Sequence, residues 1–135
     1  MLNSILADTI ARIKNGYKAG LLYIKVLNSK LVKSVLQVLQ NEGFIDSFFL
    51  SNDNITANGV VKELDVKLRY VDNKPALYSM KLISKPGRKL YIKHEEMKYI
   101  VNRFGVRILS TNKGIITDKR ARELGIGGEY LLEVN

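Results

Sequence analysis

Apolar residues recur along this chain with two different periods, and the changes of period lay out its elements. Ile5, Leu6, Ile10 and Ile13 stand at helical spacing, with Asp8 and Arg12 four residues apart on the polar side. The spacing predicts a helix capped by Asn3 or Ser4 and ended by Gly16. Residues 22–26 alternate as a strand. Ser29 then caps a second helix, whose stripe is Leu31, Val35 and Leu39 with Val32, Leu36 and Val38, and Gly43 is its stop. Residues 44–50 read as a strand and residues 51–59, polar and Asn-rich, as a loop. Leu64, Val66, Leu68 and Tyr70 alternate with Asp65, Lys67 and Arg69, which is the clearest half-buried strand of the chain.

Asp72-Asn73-Lys74-Pro75 is a turn and divides the chain into an N-terminal lobe, residues 1–72, of order α-β-α-β-β, and a C-terminal lobe, residues 73–135. In the second lobe Tyr78, Met80 and Leu82 alternate as a strand. Pro86-Gly87 makes a turn, and residues 90–93 form the next strand. Met97, Ile100, Val101 and Phe104 suggest a short helix from about Glu95, closed by Gly105. Residues 106–111 are a strand. Thr117 caps a helix that places Asp118 against its dipole and stops at Gly125, and residues 130–134 are the last strand. The fold class expected is α+β: two small lobes, the second mainly β with short helices.

The 135 residues suffice for one domain or two small lobes, and 46% hydrophobic with 26% charged residues is a globular composition. Charge changes the picture more. The chain carries a net +9, and a balance of that size favours a polyanionic partner, nucleic acid before an anionic membrane. Residues 1–72 hold nine Lys or Arg against seven Asp or Glu, residues 73–135 thirteen against six. The second lobe is therefore the better anion-facing part. No apolar run approaches the roughly 20 residues of a membrane span. The N-terminus has no basic region ahead of an apolar core, so neither a secretory signal nor a transit peptide is expected. With no cysteine there is no disulfide and no thiolate metal site.

Catalysis finds little support. His94 is the only histidine, and its neighbours Glu95 and Glu96 point apart, so it reads as a solvated helix start and not as a ligand or base. Gly125-Ile126-Gly127-Gly128 lacks the Lys-Ser/Thr of a P-loop and leads into a strand. No cofactor is called for.

Binding chemistry is better represented. Lys81, Lys85, Arg88, Lys89 and Lys93 fall within thirteen residues free of acids, and the alternatives are phosphate contact or a lysine-protected strand edge. Tyr91, between Lys89 and Lys93 with Leu90 and Ile92 on the opposite face, either stacks on an unpaired base or packs on the sheet. The loop Ser110-Thr111-Asn112-Lys113-Gly114 offers hydroxyls, an amide and one cation. A second loop, Gly127-Gly128-Glu129, offers bare backbone beside a carboxylate.

In this order, Ser110-Thr111-Asn112-Lys113-Gly114-Ile115-Ile116-Thr117-Asp118 followed by Gly125-Ile126-Gly127-Gly128-Glu129 resembles the C-terminal signature of the small-subunit ribosomal protein eight family. Ser84-Lys85-Pro86-Gly87-Arg88-Lys89-Leu90-Tyr91 resembles that family's basic Pro-Gly segment. Residues 7–16 resemble its opening helix, and Ser29-Lys30-Leu31 with Glu42-Gly43-Phe44-Ile45 its second helix and exit. The resemblance is collinear over essentially the whole chain. It implies a non-catalytic protein of the small ribosomal subunit that binds the central domain of the rRNA directly and helps assemble the platform. The implied RNA contacts are Ser110, Thr111, Asn112, Lys113, Gly114, Gly127, Gly128, Glu129 and Tyr91, with Lys85, Arg88, Lys89 and Lys30 as basic contacts. The implied neighbours are the small-subunit ribosomal proteins five and twelve. An alternative reading is a regulator that binds a messenger hairpin mimicking the rRNA site, its own mRNA included, through the same surface. The implied location is the ribosome, in bacterial cytoplasm or in an organelle (mitochondrial matrix or plastid). The chain departs from the family at Asn112, where Ser is usual, at Ser4-Ile5, where Asp-Pro is usual, and at Tyr130, Leu131 and Leu132 in the last strand.

Overall fold

Alternating strands and amphipathic helices resolve into two units, Met1–Leu77 and Tyr78–Asn135, in a computed structural model that describes residues 2–51, 59, 62–85, 87–97 and 105–135. The first unit runs α1 (Leu2–Lys18), β1 (Tyr23–Leu27), α2 (Lys30–Asn41), β2 (Ile45–Leu50) and β3 (Glu63–Leu68). Its antiparallel sheet has the order β1-β3-β2. Leu6, Ile10 and Ile13 of α1, and Val32, Val35, Leu36 and Leu39 of α2, are buried with the inward residues Ile24, Val26, Leu64, Val66 and Leu68 of the sheet. Each such side chain contributes about 1.5–3 kcal/mol on burial.

Helix α2 follows the sequence closely. The Ser29 hydroxyl accepts the Val32 amide at 3.1 Å. Past the Glu42 cap, the amides of Gly43 and Phe44 return to the carbonyls of Gln40 and Leu39, and Gly43 takes a φ of 82°. That is the left-handed closure which glycine makes without steric cost. Helix α1 differs from expectation at both ends. It starts at Leu2, so Asn3 and Ser4 lie inside its first turn instead of capping it. It also passes through Gly16 to Lys18. A Cβ on Gly16 would stand 2.6 Å from Ile24 Cγ2 and 3.1 Å from Leu68 Cδ1, so this glycine admits the sheet and does not end the helix. The Tyr17 hydroxyl, buried beside it, donates to the Phe44 carbonyl and accepts the Arg69 amide. A small hairpin, β4 (Tyr70–Val71) and β5 (Lys74–Pro75), closes the unit through Asp72 and Asn73, both at positive φ. Most of the expected 51–59 loop lies outside the described residues.

The second unit runs β6 (Met80–Leu82), β7 (Tyr91–Ile92), α3 (His94–Met97), β8 (Val106–Thr111), β9 (Gly114–Thr117), α4 (Asp118–Leu124) and β10 (Gly128–Val134). Its antiparallel sheet has the order β6-β10-β8-β9, with β7 on the same edge of β10 as β6. Ile92, Met97, Leu109, Ala121 and Tyr130 form its buried cluster, with Ile83, Ile116 and Ile126 against it. Strand β6 begins at Met80, not at Tyr78, whose side chain is exposed. Leu90, expected to share an apolar face with Ile92, is exposed because it precedes β7. Its backbone, instead of its side chain, is used: its carbonyl accepts the Tyr130 amide. Ile100, Val101 and Phe104 of the expected helix lie outside the described residues, and α3 covers its start. Strand β9 was not expected at all. Helix α4 keeps its expected caps, with the Thr117 hydroxyl accepting the Arg120 amide at 3.1 Å and Gly125 at a φ of 69°.

Candidate functional site

Three strands bring separate parts of the chain into one row. Glu129 of β10 pairs with Tyr91 of β7 on one side and with Ser110 of β8 on the other. Directly paired residues put their side chains on the same face about 5 Å apart. An aromatic ring, a carboxylate and a hydroxyl therefore stand side by side, on the face opposite the buried Ile92 and Leu109. Tyr91 is 64% exposed, which leaves much of its ring open to solvent.

Glycine makes the row possible. A Cβ on Gly127 would run into the Ile92 carbonyl oxygen and lie 2.9 Å from the His94 nitrogen. One on Gly128 would run into the Ser110 carbonyl oxygen and lie 2.7 Å from Thr111 Cγ2. Both positions are closed to any side chain by backbone, which moves less readily than a side chain. The expected Gly127-Gly128-Glu129 loop is thus a correction: Gly128 and Glu129 open β10, and the glycines serve close strand approach instead of a turn.

Residues 110–114 are likewise a hairpin and not a free loop. Ser110 and Thr111 end β8, Gly114 begins β9 at a φ of 100°, and Asn112 with Lys113 forms the tip. The Thr111 hydroxyl donates to the Gly114 carbonyl at 2.9 Å and accepts the Lys113 amide at 3.0 Å. Thr111 is thereby committed to shaping the tip, which leaves Ser110 and the exposed Asn112 as the outward polar groups.

Together Tyr91, Ser110, Thr111, Asn112, Gly127, Gly128 and Glu129 line a groove of about 540 Å³. His94, Gly125 and Ile126 complete it. Sequence reasoning set His94 aside as a solvated helix start. It is exposed at the start of α3, yet its imidazole also flanks the groove, with Cε1 3.6 Å from where a Gly125 Cβ would be. No local pattern signals that proximity, since it arises from strand pairing between distant segments.

The expected cations lie elsewhere. Lys85 and Arg88 face each other across a tight turn, their backbones exchanging hydrogen bonds of 3.1 and 2.9 Å around Gly87, while Pro86 lies outside the described residues. The buried Ser84 hydroxyl fastens this turn, donating to the Tyr130 carbonyl at 2.6 Å and accepting the Leu90 amide at 3.1 Å. Lys85, Arg88, Lys89 and Lys113 are exposed and, among the described residues, none meets a carboxylate. Lys30 belongs to the first unit, as the exposed first residue of α2.

Under β8 lies an inward charge cluster. Asp118, 4% exposed, accepts the Arg107 amide at 3.3 Å and an Arg122 guanidinium nitrogen at 3.1 Å. Arg107 donates to the Tyr130 hydroxyl at 3.1 Å, and burial first, then the Glu133 charge, pushes that phenol above its usual range. Among the described residues no three of His, Cys, Asp and Glu stand where they could hold a metal, and no helix is long and apolar enough to cross a membrane.

An α+β chain with an open, glycine-floored groove and, among the described residues, exposed cations that meet no carboxylate has the makings of a binding protein. Residues 4–135 match the family model described as Ribosomal protein S8. The chain is 42% identical over 130 residues to "Small ribosomal subunit protein uS8" of Geotalea uraniireducens, covering 96% of this chain and 95% of the relative. It is 39% identical over 134 residues to "Small ribosomal subunit protein uS8m" of Acanthamoeba castellanii, at 98% and 99% coverage, and 38% identical over 137 residues to the uS8 of Persephonella marina, at 99% of both. The chain belongs to the ribosomal protein S8 family, whose members are structural and non-enzymatic.

Proposed function

We propose that this protein serves in the small ribosomal subunit by binding the central domain of its rRNA through the groove of the second unit. Its place as a structural ribosomal constituent follows from the family. The finer reading rests on the row Tyr91–Glu129–Ser110. An unpaired base offers a π face and an edge of donors and acceptors. The row answers with an aromatic ring, an acceptor-only carboxylate and a hydroxyl that does both. Asn112 and Lys113 extend the surface at the hairpin tip, beside Gly114. Lys85, Arg88, Lys89, Lys113 and, from the first unit, Lys30 meet phosphates. In this reading the protein binds early, helps assemble the platform beside ribosomal proteins five and twelve, and offers the same surface to a mimicking hairpin in its own mRNA.

The test is a double variant, Ser110→Ala with Glu129→Ala, titrated against a central-domain RNA fragment and against an unrelated RNA of equal length. Thr111 is left intact because its hydroxyl holds the tip. Loss of two hydrogen bonds at about 1 kcal/mol each weakens cognate binding roughly 30-fold. Binding to the unrelated RNA stays within about twofold, since phosphate contacts carry it. Equal losses on both RNAs sink the proposal that the groove reads bases.

A further inference from the structure

The sheet of the first unit has two faces, and only one is accounted for by folding. Ile24, Val26, Leu64, Val66 and Leu68 turn inward. Tyr23, Lys25, Phe49 and Asp65 share the other face, as the register Lys25 with Asp65 and Phe49 with Asp65 requires. Tyr23 and Phe49 come from the two edge strands, yet their rings meet edge to face across β3 with centroids 6.3 Å apart. They are 49% and 48% exposed. With Ile24, Lys25 and Asp65 they line a cavity of about 450 Å³.

Charge decides what suits this cavity. Lys25 Nζ lies 2.9 Å from Asp65 Oδ1 and 3.0 Å from Ser51 Oγ, and Lys67 Nζ lies 3.9 Å from Asp46 Oδ2. The two lysines of this face each stand beside a carboxylate. A polyanion gains most from cations that have no carboxylate of their own, and here it would meet those carboxylates as well. The outer edge of β1 is also partly closed, because the Arg12 guanidinium donates to the Lys25 carbonyl at 3.1 Å. A partner strand cannot simply extend the sheet there, so an occupant approaches the face.

We propose that the Tyr23–Phe49 face docks a protein partner within the small subunit, a segment of no net charge that seats one aromatic or large aliphatic side chain against the two rings, beside the Lys25–Asp65 pair. Aromatic anchors in a cavity walled by neutralised polar groups are how protein interfaces concentrate their affinity.

The experiment places the photo-reactive residue p-benzoylphenylalanine at position 23 of the full chain and irradiates purified small subunits. The expected product is an adduct with a single different ribosomal protein, identified by mass spectrometry. Its yield falls at least fivefold with Phe49→Ser and is kept by Phe49→Leu, which preserves an apolar wall. An adduct with rRNA, an adduct with a second copy of this chain, no adduct, or a protein adduct indifferent to Phe49→Ser each overturns the proposal. Should Phe49→Ser subunits fail to assemble, Phe49→Asn takes its place in the same comparison.

Discussion

The two sheets of this protein are built on different principles. In the first unit, side chains set the distances: strictly alternating apolar residues meet two amphipathic helices, and the lysines of the outward face stand beside carboxylates. In the second, backbone sets them. Gly127 and Gly128 let β10 come close to the backbone of residues 92–94 and of Ser110, and the exposed Lys85, Arg88, Lys89 and Lys113 stand without carboxylates among the described residues. The lesson is that one chain carries a self-neutralised face and an unneutralised one, which suit different partner chemistry. The RNA contact proposed above falls on the one held by glycine.

The largest test of this contrast is the inward charge cluster, which among the described residues only the second unit has. Asp118→Ala takes the buried carboxylate from the half-buried Arg107, leaving it Glu133 and the Tyr130 hydroxyl, and is expected to cost the second unit about 3 kcal/mol. Chemical denaturation followed by hydrogen exchange checks it, with the amides of α2 keeping their protection. A loss below about 1 kcal/mol would show that solvent reaches the cluster.

Next come the glycines. Gly127→Ala and Gly128→Ala press a methyl onto backbone and are expected to cost about 1–3 kcal/mol, with groove binding lost alongside. Gly16→Ala presses on the Ile24 side chain, which can shift, and gains up to about 1 kcal/mol of helix propensity. It should come out near neutral by urea titration. Equal penalties at positions 16 and 128 would erase the distinction between side-chain and backbone spacing.

Alkaline titration sharpens the comparison at smaller scale. Burial, opposed in part by the Arg69 amide, raises the Tyr17 phenol above its usual range. A raised folded value favours the neutral form. Its stabilisation is therefore complete below the unfolded phenol value of about 10 and is lost as pH rises through the folded value. Tyr17→Phe should cost the first unit about 1 kcal/mol at neutral pH and flatten its alkaline decline, as read by thermal melts across pH. The smallest effect concerns a single phosphate. Lys113→Ala should lower the slope of log affinity against log salt by about 1, whereas Lys67→Ala, on a neutralised lysine, should leave it unchanged.

Much of this was legible in the sequence where one local rule governs. Ser29, the stripe from Val32 to Leu39 and Gly43 define α2 to within a residue. Strand β3 shows the alternation its sequence carries. Glycine was where reading failed, because it has more than one use. Gly16, Gly127 and Gly128 all looked like stops or turns, and all three are places where another segment packs close, a side chain at 16 and backbone at 127 and 128. Strand β9 escaped notice since Ile115-Ile116 is too short to show a period, and it exists by pairing with β8. The same holds for His94: its approach to Gly125 is a consequence of the assembled sheet. Asn112, the departure from the family's usual Ser, turns out to sit at an exposed hairpin tip, where the longer amide meets no steric obstacle in the fold.

The chain's lack of cysteine allows the most direct test of where the RNA lies. Asn112→Cys supplies a unique thiol at the hairpin tip, and Asp65→Cys, in a separate preparation, supplies one on the sheet face of the first unit. Each carries a tethered iron–EDTA group into reconstituted small subunits, where hydroxyl radicals cut nearby rRNA. Strong, localised cleavage of the central domain from position 112, with weaker cleavage from position 65, is the expected result. Cleavage from position 65 alone, or cuts from position 112 confined to another rRNA domain, would contradict the assignment of the groove as the RNA-binding surface.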